Sequence, residues 1–130
     1  MLLFGHRLIE SDSFYHVLDI DSISNTPPSS VIHIEFKEEN LDIINHANIN
    51  QISASLCCKS LTEIIYASAL DAKFIVIHTD LVKDAIQIAN DYLFDAKILV
   101  LIEDESEIEN LALLGVDGVI FPSAIIKINS

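Results

Sequence analysis

From Val31 onward, apolar and polar residues follow two alternating patterns. Short runs that are almost wholly apolar, such as KFIVIH at residues 73–78, have the length and composition of strands. Between these runs, apolar residues recur every three or four positions, which indicates amphipathic helices. The predicted strands are 31–36, 51–58, 73–78, 97–103 and 117–122, and the predicted helices are 40–48, 60–72, 80–96 and 105–116.

The predicted strands lack the alternation of polar and apolar residues that a half-exposed sheet shows, so we expect both of their faces to be covered. Strand–helix–strand repetition with short connections is typical of α/β proteins with right-handed crossovers. The pattern predicts a small α/β fold. Its mainly parallel sheet would have four or five strands with helices on both faces, in flavodoxin-like or half-barrel style. With 130 residues, the chain fits a single domain, 1–130.

Residues 1–30 follow neither pattern clearly. LLFGHRLIE and FYHVLDI could each form a strand, whereas NTPPSS at 25–30 carries two prolines that exclude regular structure. We therefore expect an irregular N-terminal arm and a Pro/Ser connector ahead of the βα repeats at 31–122. An arm of this length is too short for its own domain, so we expect it to pack on the sheet edge or on a neighbouring subunit.

Two segments of the chain resemble each other. Residues 56–78 align without gaps with residues 100–122, and each segment contains a capping-box signature before its helix. Either a βαβ unit was duplicated, or the same physical requirements shaped two similar units. The matched pairs are Ser60 and Asp104, Glu63 and Glu107, Ile64 and Ile108, Leu70 and Leu114, Cys57 and Leu101, and Cys58 and Ile102.

The charge balance excludes several classes of function. The chain has 20 acidic and 7 basic residues and a formal net charge of −13. Nucleic acids and anionic membrane surfaces are bound mainly through basic residues, so we expect neither as a partner. No apolar run approaches the length of a membrane span, and the start of the chain lacks the features of a signal peptide. These features favour a cytoplasmic protein.

The adjacent cysteines, Cys57 and Cys58, fall within a predicted strand. Neighbouring strand residues point to opposite faces of a sheet, so the two thiols cannot jointly bind a metal or act as a redox pair. Cysteine also packs well as a small apolar residue. We expect both thiols to be core residues that are alkylated slowly until the protein unfolds.

Ligands of open parallel sheets bind beyond the carboxyl ends of the strands. Polar residues at these ends could bind a ligand, with His78 as a general base or a ligand contact and Lys59 beside a helix start as a phosphate contact. The same residues could instead cap helices and face water, as strand ends do in α/β proteins generally. The candidate ligand-binding residues are Lys59, Ser60, His78, Thr79, Asp80, Glu103 and Ser123.

We expect neither a metal nor a cofactor. His33 and Glu35 alternate along one strand and share a face, but two ligands do not define a metal site, and no H-x-x-E-H or C-x-x-C motif completes them. The chain has only 3 glycines, so it carries no dinucleotide fingerprint or P-loop. A G-x-S-x-G nucleophile elbow is also absent from the sequence.

The segment KSLTEIIYASALDAKFIVI resembles a strand–helix–strand unit of the (β/α)8-barrel phosphate-sugar enzymes, such as indole-glycerol-phosphate synthase. That resemblance implies that Lys59 stands at a strand end, where such enzymes keep catalytic groups. Residues 96–122 also look like the last βαβ unit of a response-regulator receiver, with Asp19 and Asp21 as a possible acidic pair. Both resemblances rest on general βα texture and support architecture rather than activity.

Two functions follow as expectations. Catalytic motifs are missing, and the chain is 51% hydrophobic with a mean hydropathy of +0.43. These features favour a non-catalytic interaction or regulatory module that acts as a homo-oligomer, preferably a homodimer, with a protein partner possible. The alternative is a binding protein or enzyme for a small molecule such as a phosphorylated metabolite, which would use the strand ends around Lys59, His78 and Asp80. Whether the chain is an enzyme stays open, with the balance against it.

Overall fold

A computed structural model describes residues 1–128 of the chain. Its central feature is one sheet of eight strands in which every neighbouring pair is parallel. Numbered along the chain and given in their order across the sheet, the strands are β1 (Leu2–Phe4), β7 (Gly118–Ile120), β6 (Lys97–Leu101), β5 (Phe74–Ile77), β4 (Ala54–Cys57), β3 (Val31–Glu35), β2 (Phe14–His16) and β8 (Ile125–Lys127).

Five α-helices connect successive strands from β2 to β7, and the last four of them are the helices that the strand–helix alternation predicted. The helix after β4 begins at a capping residue, because the hydroxyl of Ser60 accepts a hydrogen bond from the amide of Glu63 at 3.2 Å. The last helix ends at Gly115, whose φ of +88° is a left-handed conformation that favours glycine. The helices are α1 (Ile20–Ile23), α2 (Leu41–Ile49), α3 (Leu61–Ala69), α4 (Val82–Asp91) and α5 (Ile108–Leu114).

The α/β class and the parallel sheet are confirmed, but the predicted number of four or five strands is wrong. The sheet gains β1, β2 and β8. Each of these strands has only three residues, too few to show a hydrophobic period, and each is held by pairing with strands distant in sequence. The expectation of an irregular N-terminal arm is corrected as well. β1 forms one edge of the sheet, and β2 lies inside it between β3 and β8.

The sheet is strongly curled. Phe4 on β1 and Phe14 on β2 stand near opposite ends of the strand order, yet their ring centroids are only 4.9 Å apart. The ring of Phe74, on the central strand β5, lies 5.6 Å from Phe4 and 5.3 Å from Phe14. One face of the sheet therefore closes around its own aromatic side chains, and the architecture corresponds to the half-barrel style rather than to a flat, flavodoxin-like sheet.

Helices cover one face of the sheet only, which corrects the expectation of helices on both faces. The buried residues of α2, α3, α4 and α5 form a single cluster with outward-facing strand residues such as Ile34 and Ile75. The inner face packs on itself instead, and this explains why the strands are apolar on both sides. The inner cluster consists of Phe4, Phe14, Val31, Phe74, Val76, Leu99, Ile120 and Ala124.

No helix within residues 1–128 has both the length and the apolar character needed to cross a membrane.

Candidate functional site

Polar side chains replace apolar ones on the inner face where β2, β3 and β4 approach their carboxyl ends. Alternate residues of a strand share a face, so His33 and Glu35 follow Val31 of the inner cluster. The strand register places His16 beside His33, Ser55 on the other side of His33, and Cys57 beside Glu35. We call this group the inner-face cluster, and its members are His16, His33, Glu35, Ser55 and Cys57.

A short hydrogen bond joins the two most buried members of the inner-face cluster. Nδ1 of His33 lies 2.6 Å from Oγ of Ser55, and the exposed fractions of the two residues are 6% and 0%. The ring of His16 stands edge-on to that of His33 with centroids 5.6 Å apart. Three polar residues on neighbouring strands therefore meet directly above the aromatic packing of the inner face.

Burial keeps both imidazoles neutral at neutral pH. The pKa of His33 is lowered to about 4, mainly by removal from water and also by the neighbouring His16, while Glu35 raises it. The pKa of His16 is also lowered, first by burial, while Glu35 raises it and Lys127 and Lys37 lower it. A neutral imidazole offers one donor and one acceptor nitrogen, so these rings can form hydrogen bonds without carrying charge.

Glu35 connects the inner-face cluster to solvent. One of its carboxylate oxygens, Oε1, lies 3.5 Å from Nζ of Lys59, and the side chains are 43% and 68% exposed, so this ion pair adds little to stability. Beside Glu35, burial raises the pKa of the Cys57 thiol. The negative charge of Glu35 raises this pKa further, whereas the positive charge of Lys59 lowers it. The thiol is therefore protonated at neutral pH and is a weak nucleophile.

Three of the chain's seven basic residues surround this end of the inner face. Lys127 ends β8 and pairs in register with His16. Lys37 comes two residues after Glu35, and both Lys37 and Lys127 are near enough to affect the pKa of His16. We call Lys37, Lys59 and Lys127 the rim lysines, and all three are exposed. In a chain with a net charge of −13, three amines thus lie at the same end of the sheet as the carboxylate of Glu35.

The inner-face cluster offers hydrogen bonding and acid–base groups rather than metal coordination. Among the described residues, no group of three or more His, Cys, Asp and Glu side chains is arranged to hold a metal ion. The cluster contains neutral imidazoles, a carboxylate and a protonated thiol, with amines at its rim. Such groups can orient a small polar molecule and exchange protons with it.

Of the residues proposed from the sequence, only Lys59 lies at the inner-face cluster. Ser60 caps α3. His78, Thr79 and Asp80 are exposed after β5, where Thr79 and Asp80 line a depression between α4 and α5. Glu103 and Ser123 line another depression beside His6 and Arg7, and the hydroxyl of Ser123 donates to the carbonyl of Gly5 at 3.1 Å. The seven candidates are thus distributed over four separate places.

The sequence contained a signal for the residues that were missed. His33 and Glu35 were recognised as sharing a face, but their neighbours His16, Ser55 and Cys57 were not connected with them. In β2 and β3 alike, an apolar residue is followed two positions later by a histidine on the same face, and β4 places Ser55 and Cys57 on that face beside them. That shared alternation, together with the strand order, would have indicated the inner-face cluster. Without β2 in the sheet, His16 could not be placed.

The structure treats the two cysteines differently. Cys58 is fully buried in the cluster beneath the helices, and Cys57 is half-buried on the inner face. The prediction that the thiols occupy opposite faces is confirmed. The expectation of a core position holds for Cys58 alone, because β4 ends at Cys57 and its inner face opens towards Glu35 and Lys59.

Two other features of the surface are concave or charged. A groove of about 700 Å³ runs between α2 and α3, and its apolar lining includes Phe36, Leu41 and Tyr66. At the carboxyl end of β1, His6 and Arg7 both contact the carboxylate of Glu105, at 3.1 Å and 2.8 Å. The carboxylate of Glu105 already neutralises the guanidinium of Arg7, so this pair has little capacity to attract an anion.

Sequence comparison found no protein-family model that matches the chain and no curated protein with significant similarity to it. The resemblances to barrel enzymes and to receivers stay predictions.

Proposed function

We propose that this protein binds a small-molecule metabolite at the carboxyl end of the inner face, against the inner-face cluster. The observation that carries the proposal is the buried pair of His33 and Ser55 directly beside the apolar inner cluster. Burying two polar side chains costs free energy that an apolar pair of the same size would not. His33 stands in the middle of β3 and Ser55 near the start of β4, and on the same face Glu35 and Cys57 end these strands. The carboxyl ends of parallel strands are where ligands of such sheets bind.

The surrounding groups support binding rather than a purely structural role. Exposure increases along β3 and β4, from the buried His33 and Ser55 to Glu35, Cys57 and Lys59. A ligand at this end would therefore meet buried groups at its inner side and exposed charged groups at its outer side. A small number of polar groups placed beside an apolar lining is typical of small-molecule sites.

A thermal-shift screen with matched histidine variants tests the proposal. The protein, His16→Gln and His78→Gln are melted against a panel of neutral, cationic and anionic metabolites. His16 belongs to the inner-face cluster and His78 is an exposed residue outside it. We expect at least one compound to raise the Tm of the protein and of His78→Gln, and to raise that of His16→Gln by much less. Equal shifts in all three proteins, or no shift with any compound, would contradict the proposal.

A second candidate is the interaction module that the composition favours. Large apolar side chains are exposed within residues 1–18 and in β8. Association of two copies would remove this apolar surface from water. Multi-angle light scattering at micromolar concentration tests this candidate, since a strict monomer would contradict it. The exposed side chains are Met1, Leu2, Leu8, Ile9, Leu18 and Ile126.

A further inference from the structure

The hydroxyl of Ser55 determines how the imidazole of His33 is protonated. Ser55 is fully buried, and Nδ1 of His33 is the partner that the structure gives its hydroxyl. A buried hydroxyl proton without an acceptor is costly, so the hydroxyl donates to Nδ1. A neutral imidazole that accepts at one nitrogen carries its proton on the other. His33 is therefore an Nε2–H donor.

That donor is available to a ligand. Among residues 1–128, every buried side-chain nitrogen or oxygen has a hydrogen-bond partner, whereas Nε2 of His33 is given none. Nε2 is consequently an accessible atom, although the residue as a whole is 6% exposed. A fixed N–H group at the base of a site requires an acceptor atom from whatever binds there.

More amines than carboxylates lie at this end of the inner face. Lys37 and Lys127 act on His16, and Lys59 acts on Cys57. Glu35 lies close to His33 and pairs with Lys59, so it offsets one of these positive charges. Glu63 is the other carboxylate close to Cys57, and its Oε1 accepts a hydrogen bond from the amide of Lys59 at 2.9 Å. Lysine amines act as point charges that bind carboxylate and phosphate oxygens alike.

We propose, building on the binding site proposed above, that Ser55 holds His33 as an Nε2–H donor for a carboxylate or phosphate oxygen of a small anionic ligand. The rim lysines neutralise the rest of the ligand's charge. The ligand class is thus an acidic or phosphorylated metabolite, and cationic molecules are disfavoured. Ser55 acts as a positioning residue, since it reaches the ligand only through His33.

The tautomer of His33 can be measured without any ligand. Protein with ¹⁵N-labelled histidine is examined by two-dimensional NMR that correlates the ring nitrogens with the carbon-bound ring protons. We expect His33 at pH 7 to show a proton on Nε2 and none on Nδ1. A proton on Nδ1, or rapid averaging between the two tautomers, would overturn the proposal even if the protein binds small molecules.

Titration with inorganic phosphate and, separately, malonate tests the ligand class and distinguishes phosphate from carboxylate. We expect one of the two to shift the Nε2 signal beyond the effect of sodium chloride at the same ionic strength. Lys59→Met should weaken that binding by about tenfold, the effect of losing one charge-assisted contact. Lys83→Met, the same change on the exposed face of α4, should leave it unchanged.

The outcomes separate this proposal from the broader one. If a neutral or cationic compound binds at the inner-face cluster while phosphate and malonate act only through ionic strength, the anionic ligand class is wrong and the binding site stands. If Lys59→Met and Lys83→Met weaken anion binding equally, the anions bind through overall charge, and the proposal is wrong. If no compound of any charge binds, both proposals fail.

Discussion

Nδ1 of His33 lies 2.6 Å from Oγ of Ser55, and the two residues are direct neighbours in the register of β3 and β4. The pair lies on the inner face of a curled sheet, immediately above a cluster of phenylalanine rings. Its burial has consequences for stability, for thiol reactivity beside it and for ligand binding, and each can be measured.

The stability of the protein should depend on the protonation of His33. Its folded pKa of about 4 is below the value of about 6.5 for an unfolded histidine, so between pH 6.5 and 4 the unfolded chain binds more protons. The contribution of the neutral His33 side chain to stability is fully present above pH 6.5, and it is lost as the pH falls from 6.5 to 4. We expect the loss to reach roughly 3 kcal/mol in the free energy of unfolding.

Urea unfolding of the protein, His33→Gln and His78→Gln at several pH values checks this dependence. His33→Gln should show a smaller slope of stability against pH between 4 and 6.5, and the exposed His78→Gln should keep the slope of the parent. Each variant shares all of its remaining titratable groups with the parent, so the contributions of these groups cancel when the two slopes are compared. Identical slopes for the parent and His33→Gln would refute the assignment.

The curl of the sheet should depend on its aromatic centre. Phe14 is fully buried and contacts both Phe4 and Phe74, so Phe14→Ala leaves a cavity and should cost about 3–5 kcal/mol. Tyr92→Ala removes an aromatic ring that is 75% exposed and should change stability by less than about 0.5 kcal/mol. Chemical denaturation measures both. A small effect at Phe14 would mean that the two ends of the sheet do not pack together.

The two thiols should react at different rates. Burial raises the pKa of both, but Cys57 is half-buried and Cys58 fully buried. In a disulfide-exchange assay, Cys58→Ser reports on Cys57 alone and should react slowly without denaturant. Cys57→Ser reports on Cys58 and should react slower still, at a rate that follows unfolding. If Cys58 reacted as fast as Cys57, the opposite placement of the two side chains would be wrong.

Ser60 should act through the helix that it caps. Its hydroxyl accepts from the amide of Glu63, so Ser60→Ala should lower the free energy of unfolding by about 1 kcal/mol. Ser123→Ala, which removes a hydroxyl from an exposed position, should cost less. Neither change should alter ligand binding at the inner-face cluster. If Ser60→Ala lost ligand binding without losing stability, Ser60 would belong to the binding site and its assignment as a helix cap alone would be wrong.

The sequence predicted the strands and helices from Val31 to Ile120 because most of them have enough residues to show a hydrophobic period. β7 has only three residues, but it continues the strand–helix alternation directly after α5. β1, β2 and β8 have three residues each, and what holds them is pairing with strands far away in the sequence. Apolar residues on both sides of a strand predict covered faces without showing what covers them. Helices cover the outer face here, and the sheet's own side chains fill the inner one.

The candidate site was likewise only partly predictable from the sequence. A position directly after a strand identifies Lys59, but it equally selects His78 and Asp80, which are exposed and lie outside the inner-face cluster. His16 and Ser55 lie within strands, and their proximity to His33 depends on strand order and register. A single sequence does not specify these when strands are short. The direction of the side chains, inward or outward, was available from alternation alone, as it was for the two cysteines.

Mapping of backbone amide shifts by NMR tests most directly whether a small molecule binds at the inner-face cluster. The compound that raises the Tm most is titrated into ¹⁵N-labelled protein. We expect the largest shifts on His16, His33, Cys57 and Lys59. Shifts centred on Thr79 and Asp80, or on the groove between α2 and α3, would contradict binding at this cluster.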